Sequence, residues 1–279
     1  LHVKPTRVIA VDWSGARTGA ERKLWLAELS DGCVQRLEDG RSRAAMTEEL
    51  VRVATHAARA GERVVIGLDF SFGFPAWYLQ ARGWTRGHEA WGAFTEPVVD
   101  ALLVEPAFPF WGRGALRTRP AALREGSDTP PLRETERRLA GRARPFSVFQ
   151  LVGAGAVGTA SLRGMATLHA LSLAGARVWP FDEDGGGAGA VVAEVWPRLA
   201  APTVNKSSVD ERVAHVQALT GVVHGVDACI PPVRASDDAF DALVAAVALW
   251  QARDALARMP SDSGARERLE GRIWQAARD

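Results

Sequence analysis

Five acidic residues stand where the surrounding pattern calls for apolar side chains or for the end of an element. RVIAVDW (7–13) and RVVIGLDF (63–70) are short apolar runs that each reach an aspartate, Asp12 and Asp69. Each reads as a buried strand that delivers a carboxylate at its C-terminal end. SDDAFDALVAAVALWQARDAL (236–256) reads as a long helix with Ser236 or Asp237 as N-cap, and it places Asp238 and Asp241 three apart on one face of the first turn. The cap being filled upstream, Asp241 has no capping role among Phe240, Ala242, Leu243 and Val244. Glu194 lies in AVVAEVWP (190–197), where an acid is costly unless it is paired, protonated or metal-bound, or unless that strand is an edge strand with Glu194 on its solvent face.

If these acids converge, their repulsion needs an answer. Two carboxylates about 4 Å apart repel by about 1 kcal/mol in water and about 4 kcal/mol at an effective dielectric of 20. Divalent cations remove that repulsion, and an oxygen-only donor set selects Mg²⁺ or Mn²⁺. Two such ions can activate a water and stabilise the leaving oxygen of a phosphodiester. The expected metal-holding set is Asp12, Asp69, Asp238 and Asp241. Asp12 and Asp241 bridge or hold the ions, Asp69 and Asp238 complete the shells, and Glu194 is a fifth carboxylate.

The elements that must position these groups can be read in order. After the first strand, KLWLAEL (23–29) and CVQRLE (33–38) flank Ser30, Asp31 and Gly32, a hairpin signal. MTEELVRVATHAARAG (46–61) has Leu50, Val53, Ala54, Ala57 and Ala58 at helical spacing, with Thr47 as N-cap and Gly61 past the end. Three antiparallel strands, a helix and a strand returning parallel to the first would bring Asp12 and Asp69 to one sheet edge. Residues 71–165, rich in Pro, Gly, Trp and Arg, read as an inserted irregular and helical cover over that edge within one α/β domain spanning 1–279. AGARVWPF (174–181) and AVVAEVWP (190–197) are further strands on either side of a flexible DEDGGGAG, and SSVDERVAHVQALTG (207–221) is a capped helix.

Composition limits the choices. With 47% apolar and 24% charged residues the chain can bury a full core, and its net charge of +1 excludes a protein that binds nucleic acid by overall charge. Local charge is different: nine arginines (113, 117, 119, 124, 133, 137, 138, 142, 144) face four acids between 113 and 144. No long apolar run occurs and LHVKPTR lacks a signal-peptide core, so a cytoplasmic protein without membrane insertion is expected. Two cysteines, Cys33 and Cys229, cannot form a thiolate zinc site.

VDWSGA (11–16), GLDFSFGFP (67–75), LRETER (132–137), VWPF (178–181), EVWP (194–197) and DDAFDALVAA (237–246) together resemble the motif series of domain-of-unknown-function family 429. The resemblance spans nearly the whole chain. It implies an RNase H-like mixed sheet and a metal-dependent nuclease. The family's likeness to Holliday-junction resolvases implies carboxylates at the ends of the first and fourth strands and a D-x-x-D on the last helix, which fall on Asp12, Asp69, Asp238 and Asp241. Arg133, Arg137 and Lys206 are then candidates to touch phosphate, with Glu136 orienting an arginine. The expected partner is nucleic acid, or a nucleotide or other small phosphate compound if the cover closes the site. Rival classes are a nucleotide-binding protein of actin-like or sugar-kinase-like fold and a non-catalytic binding module.

GAGAVG (153–158) has the spelling of a dinucleotide turn, with a candidate strand in SVFQLV before it. The next acid, Asp182, comes 29 residues after Gly153 instead of about 20, and Gly164 interrupts the following helix, so neither NAD nor FAD is expected. The glycines would instead allow close backbone approach over the carboxylates. His56, His88, His169, His215 and His224 lack metal-ligand spacing. Ser14 and Ser71 each follow a proposed ligand by two residues, where a hydroxyl either touches phosphate or caps a turn. Trp77, Trp84, Trp91 and Trp111 could stack bases, but core packing is the better expectation.

Overall fold

A computed structural model describes residues 3–140, 143–260 and 262–275. Arg142 of the arginine-rich segment lies outside the described residues. Six strands, β1 (Arg7–Asp12), β2 (Trp25–Ser30), β3 (Cys33–Glu38), β4 (Arg63–Asp69), β5 (Arg177–Trp179) and β6 (Gly189–Glu194), form one mixed sheet in the order β3-β2-β1-β4-β6-β5. The first three pair antiparallel, whereas β4 runs parallel to β1, β6 to β4 and β5 to β6. Asp31 and Gly32, both at positive φ, make the tight turn between β2 and β3.

Among the described residues, ten α-helices surround the sheet. They are α1 (Arg43–Ala60), α2 (Ala76–Ala81), α3 (Glu96–Val104), α4 (Glu134–Leu139), α5 (Gly158–Leu173), α6 (Pro197–Ala200), α7 (Val209–Ala218), α8 (Ile230–Ala235), α9 (Asp237–Gln251) and α10 (Ala265–Glu270). Helix α1 begins earlier than its periodicity predicts, because Ser42 caps it by accepting the Ala45 N–H. Thr47 is therefore not the cap; its hydroxyl donates to the Arg43 carbonyl and meets Thr167 of α5. Gly61 ends the helix in the left-handed conformation, as expected.

Strand alternation sorts the core into two faces. Ile9, Val11, Val64, Ile66, Leu68 and Val192 meet α1, α5 and the aromatic residues of the long β4–β5 connection. Val8, Ala10, Ala27, Val65, Val191 and Ala193 meet α9. The α9 face is lined by small residues, and Gly67 is the extreme case: a Cβ there would lie 2.8 Å from both Leu249 Cδ1 and Val195 Cγ1. Close approach of α9 to the middle of the sheet depends on that missing carbon.

The DEDGGGAG connection is held more firmly than its glycines imply. Arg63, fully buried at the start of β4, forms a two-armed ion pair with Asp184 and also donates to the Leu256 and Gly187 carbonyls. Asp184 in turn accepts the Met259 N–H at 2.7 Å. A buried, paired charge thus ties this connection to the chain after α9.

Helix α5 runs unbroken through Gly164 because the Phe70 ring occupies the space a side chain would need. SVFQLV forms no strand of the sheet; its one ladder contact is an isolated bridge between Gln150 and Trp111. The glycine turn therefore lacks the strand–turn–helix geometry of a dinucleotide site. Among the tryptophans singled out, Trp91 and Trp111 are buried, Trp77 donates to the Pro130 carbonyl and Trp84 packs against the core. No described helix is long and apolar enough to cross a membrane.

Candidate active site at the sheet's C-terminal edge

Register makes Asp12 and Asp69 direct neighbours, the last paired residues of β1 and β4. Alternation decides their face. Val8 and Ala10 point toward α9, so Asp12 does as well, and Val65 fixes the same parity for Asp69. Helix α9 starts at this edge. Its N-cap Ser236 accepts the Asp238 and Ala239 N–H groups at 3.1 and 3.3 Å, which frees the first-turn acids from capping. Asp12 thereby comes within electrostatic range of Asp69, Asp238 and Asp241, and Asp241 in turn acts on both Asp69 and Asp238.

Burial is the largest cause of the raised Asp12 pKa, followed by the charges of Asp69, Asp241 and Asp238, against which Lys206 acts. Asp69 is pushed up to about 8, first by burial, then by Asp241 and further by Glu194, while Lys206 and a hydrogen bond shared with Asp12 oppose the rise. Such a bond needs a proton on one of the two acids. Asp238 and Asp241 are raised too, burial again leading. Lys206 is the near counter-charge: its Nζ forms an ion pair with Asp241 and lies 3.8 Å from Asp237. Burial works against its charged form, yet Asp241 and Asp12 keep it firmly protonated.

Glu194 acts on Asp69 through its charge but faces away from the α9 side, and parity gives the reason. It follows Ala193, which faces α9, so Glu194 itself points to the opposite side of the sheet. It is buried there, not on the solvent face of an edge strand, and it accepts from Arg133 Nη1 at 2.8 Å, Arg133 Nη2 at 2.5 Å and the Phe72 N–H at 3.0 Å. Glu136 accepts from Arg133 Nε at 2.9 Å and Nη2 at 2.6 Å, and the Glu270 carbonyl accepts from Nη1 at 3.2 Å. Glu136 does orient an arginine. Arg133 itself, fully buried with its donors engaged, has none left for phosphate, which corrects the expectation that it contacts substrate. Its role is to join the β4–β5 connection, β6 and the C-terminal segment.

The remaining expected residues are dispersed. The Ser14 hydroxyl accepts the Ala16 N–H and so caps its own turn. Ser71 is buried and lines a cavity of about 200 Å³ together with Asp69, Trp13 and Glu194. Arg137 pairs with Glu134 on its own helix and does not line that cavity. The glycine turn does reach this place, since Ala156 and Val157 form part of the same wall. Gly15 packs there too, where a Cβ would lie 2.5 Å from the Ala160 nitrogen.

Three further basic residues lie at the site, of which only Arg144, in the arginine-rich segment, had a signal in the sequence. Arg198 and Arg144 line a second cavity with Asp69, Asp241 and Lys206, and Lys23 lies near enough to Asp238 to lower its pKa. Lys23 and Arg198 are isolated cations without periodic or motif context. Comparison with family models, with curated proteins and with solved structures returned no match.

Proposed function

We propose that the protein is a divalent-metal-dependent phosphodiesterase acting on nucleic acid, built on an RNase H-like sheet whose β4–β5 connection forms its cover. The observation that supports this reading is the approach of Asp12, Asp69 and Asp241, from two parallel strands and a crossing helix, to one sheet edge, with only Lys206 among the described residues in ion contact to offset them. The order of antiparallel hairpin, helix and parallel strand agrees with it. An all-oxygen donor set with surplus negative charge fits Mg²⁺ or Mn²⁺. Among the described residues no three acidic, histidine or cysteine side chains already surround one point, so an ion would compete with the Lys206 ammonium for Asp241. Asp12, Asp69, Asp241 and Asp238 would hold it.

When bound, such an ion supplies a Lewis acid and an activated water. The chain's own groups do the rest. Lys206 and Arg198 hold an anionic phosphate beside carboxylates that would otherwise repel it. Trp13 and Phe70, packed together at a ring-centroid distance of 5.4 Å, limit water at the inner wall.

Melting curves of wild type and Asp12→Asn, with and without Mn²⁺, test the proposal. Mn²⁺ should raise the wild-type melting temperature and leave the variant's unchanged. The variant should be at least as stable as wild type without metal and inactive on single-stranded, duplex and branched substrates. A variant destabilised by about 1–3 kcal/mol with its Mn²⁺ response intact would instead mark Asp12 as a hydrogen-bonded core residue and end the proposal.

A further inference from the structure

Three cavities adjoin along the C-terminal edge of the sheet. The central one, about 200 Å³, is bordered by Asp69 and Ser71. On one side it shares Asp69, Phe146 and Trp196 with a cavity of about 450 Å³ that contains Arg144, Arg198 and Lys206. On the other it shares Ala156 and Ala160 with a cavity of about 420 Å³ that contains Arg17, Lys23 and Arg113. Asp69 therefore lies between two flanks that carry basic residues, with Asp241 in the flank that holds Lys206.

These basic residues are available to a ligand, with Arg198 spending one N–H on the Val204 carbonyl at 2.9 Å. Arg17, Lys23, Arg113, Arg144 and Arg198 are exposed, and among the described residues none of the five pairs with a carboxylate. The one acid of the Arg113 flank, Asp100, is already bound by Arg163. Between the flanks the walls are aromatic: Trp13, Phe70, Phe146 and Trp196. The Trp13 indole N–H is buried and has no partner among the described residues, a donor left for an occupant.

From this arrangement we propose that these adjoining cavities form a trench that binds a single strand of nucleic acid lengthwise, its backbone gripped on both sides of Asp69 and its bases stacked on Trp196 and Phe146. This rests on the phosphodiesterase reading and narrows its substrate class. Positive charge at both ends requires an anion that continues past the reacting centre, which a mononucleotide does not. Aromatic walls between cationic ends suit unstacked bases, the pattern by which single strands are held with little regard to sequence. A base-paired helix is too wide to descend into the central cavity.

Fluorescence anisotropy in chelator, where no hydrolysis proceeds, measures the binding of labelled oligothymidylates of about three and about twelve nucleotides. The longer strand should bind about tenfold more tightly or better. Its affinity should fall linearly with log salt, and the combined Arg17→Ala, Lys23→Ala, Arg113→Ala variant should reduce that slope by about 2, as the loss of three phosphate contacts on a single strand requires. Arg144→Ala, on the other flank, should reduce it by about 0.7 independently. Equal affinity for the two lengths, unchanged slopes in both variants, or tighter binding of a duplex would overturn the trench. Hydrolysis of a small phosphodiester with Mn²⁺ but no length dependence would leave the phosphodiesterase reading standing and remove this one. Length-dependent binding without hydrolysis of any diester would do the reverse.

Discussion

Replacing Asp69 by asparagine removes a charge from the crowded sheet edge while keeping the size and hydrogen-bonding capacity of the side chain. An acid whose folded-state pKa lies at about 8 instead of 3.8 retains a proton that the unfolded chain has released. Over that interval the native state binds more protons than the unfolded state, so the stability of the metal-free protein falls as pH rises from about 4 to about 8. At about 1.4 kcal/mol for each pH unit, the cost at pH 7 reaches about 4 kcal/mol as a ceiling. Water in the cleft and proton sharing with Asp12 bring the expected figure to on the order of 1–2 kcal/mol. Asp69→Asn should therefore melt higher than wild type in chelator at pH 8, by about 2–4 °C for each kcal/mol. The gap should shrink toward pH 5 and close near pH 4, where both states carry the proton. Calorimetric melts at several pH values check this. A variant that melts below wild type at pH 8, with a difference that does not change with pH, would refute the account of a strained carboxylate cluster.

Arg133→Met should cost about 3–5 kcal/mol, because it strands Glu194 and Glu136 in the core without their cation; the midpoint of urea unfolding measures it, and a loss below about 1 kcal/mol would show that those acids find water. Gly67→Val should destabilise by about 1–3 kcal/mol by forcing α9 off the sheet, and any Mn²⁺-dependent stabilisation should weaken with it, since Asp241 rides on that helix. Lys206→Met removes the cation that competes for Asp241; titration calorimetry should find tighter Mn²⁺ binding than in wild type, and weaker binding would mean that the lysine helps to build the site instead of occupying it.

Asp12 and Asp69 could be read from the sequence because strand ends and hydrophobic runs are local properties. An apolar run that stops at an aspartate announces both the strand and the position of its carboxylate, and the hairpin-then-helix order already implied that the two strands would lie side by side. Asp241 was legible for a similar reason: Ser236 supplied the cap, so an acid one turn later among apolar residues needed another explanation. Glu194 was not legible in the same way, because its side relative to Asp69 is set by the β4–β6 register, which only the fold supplies.

Only the tertiary structure could assign helices to faces. Nothing local tells the chain that α9, and not α1 or α5, covers the side to which the aspartates point; that depends on the small residues of the sheet, Gly67 above all, admitting a helix at close range. The same holds for Arg133, whose neighbours in sequence resemble a solvated basic helix but whose partners come from β6 and the C-terminal segment. Arg17, Lys23, Arg113, Arg144 and Arg198 are dispersed along the chain and meet on one edge only because the sheet and its long connection bring them there. Sequence periodicity records which residues face inward within one element. Long-range packing of one element on another decides what they meet.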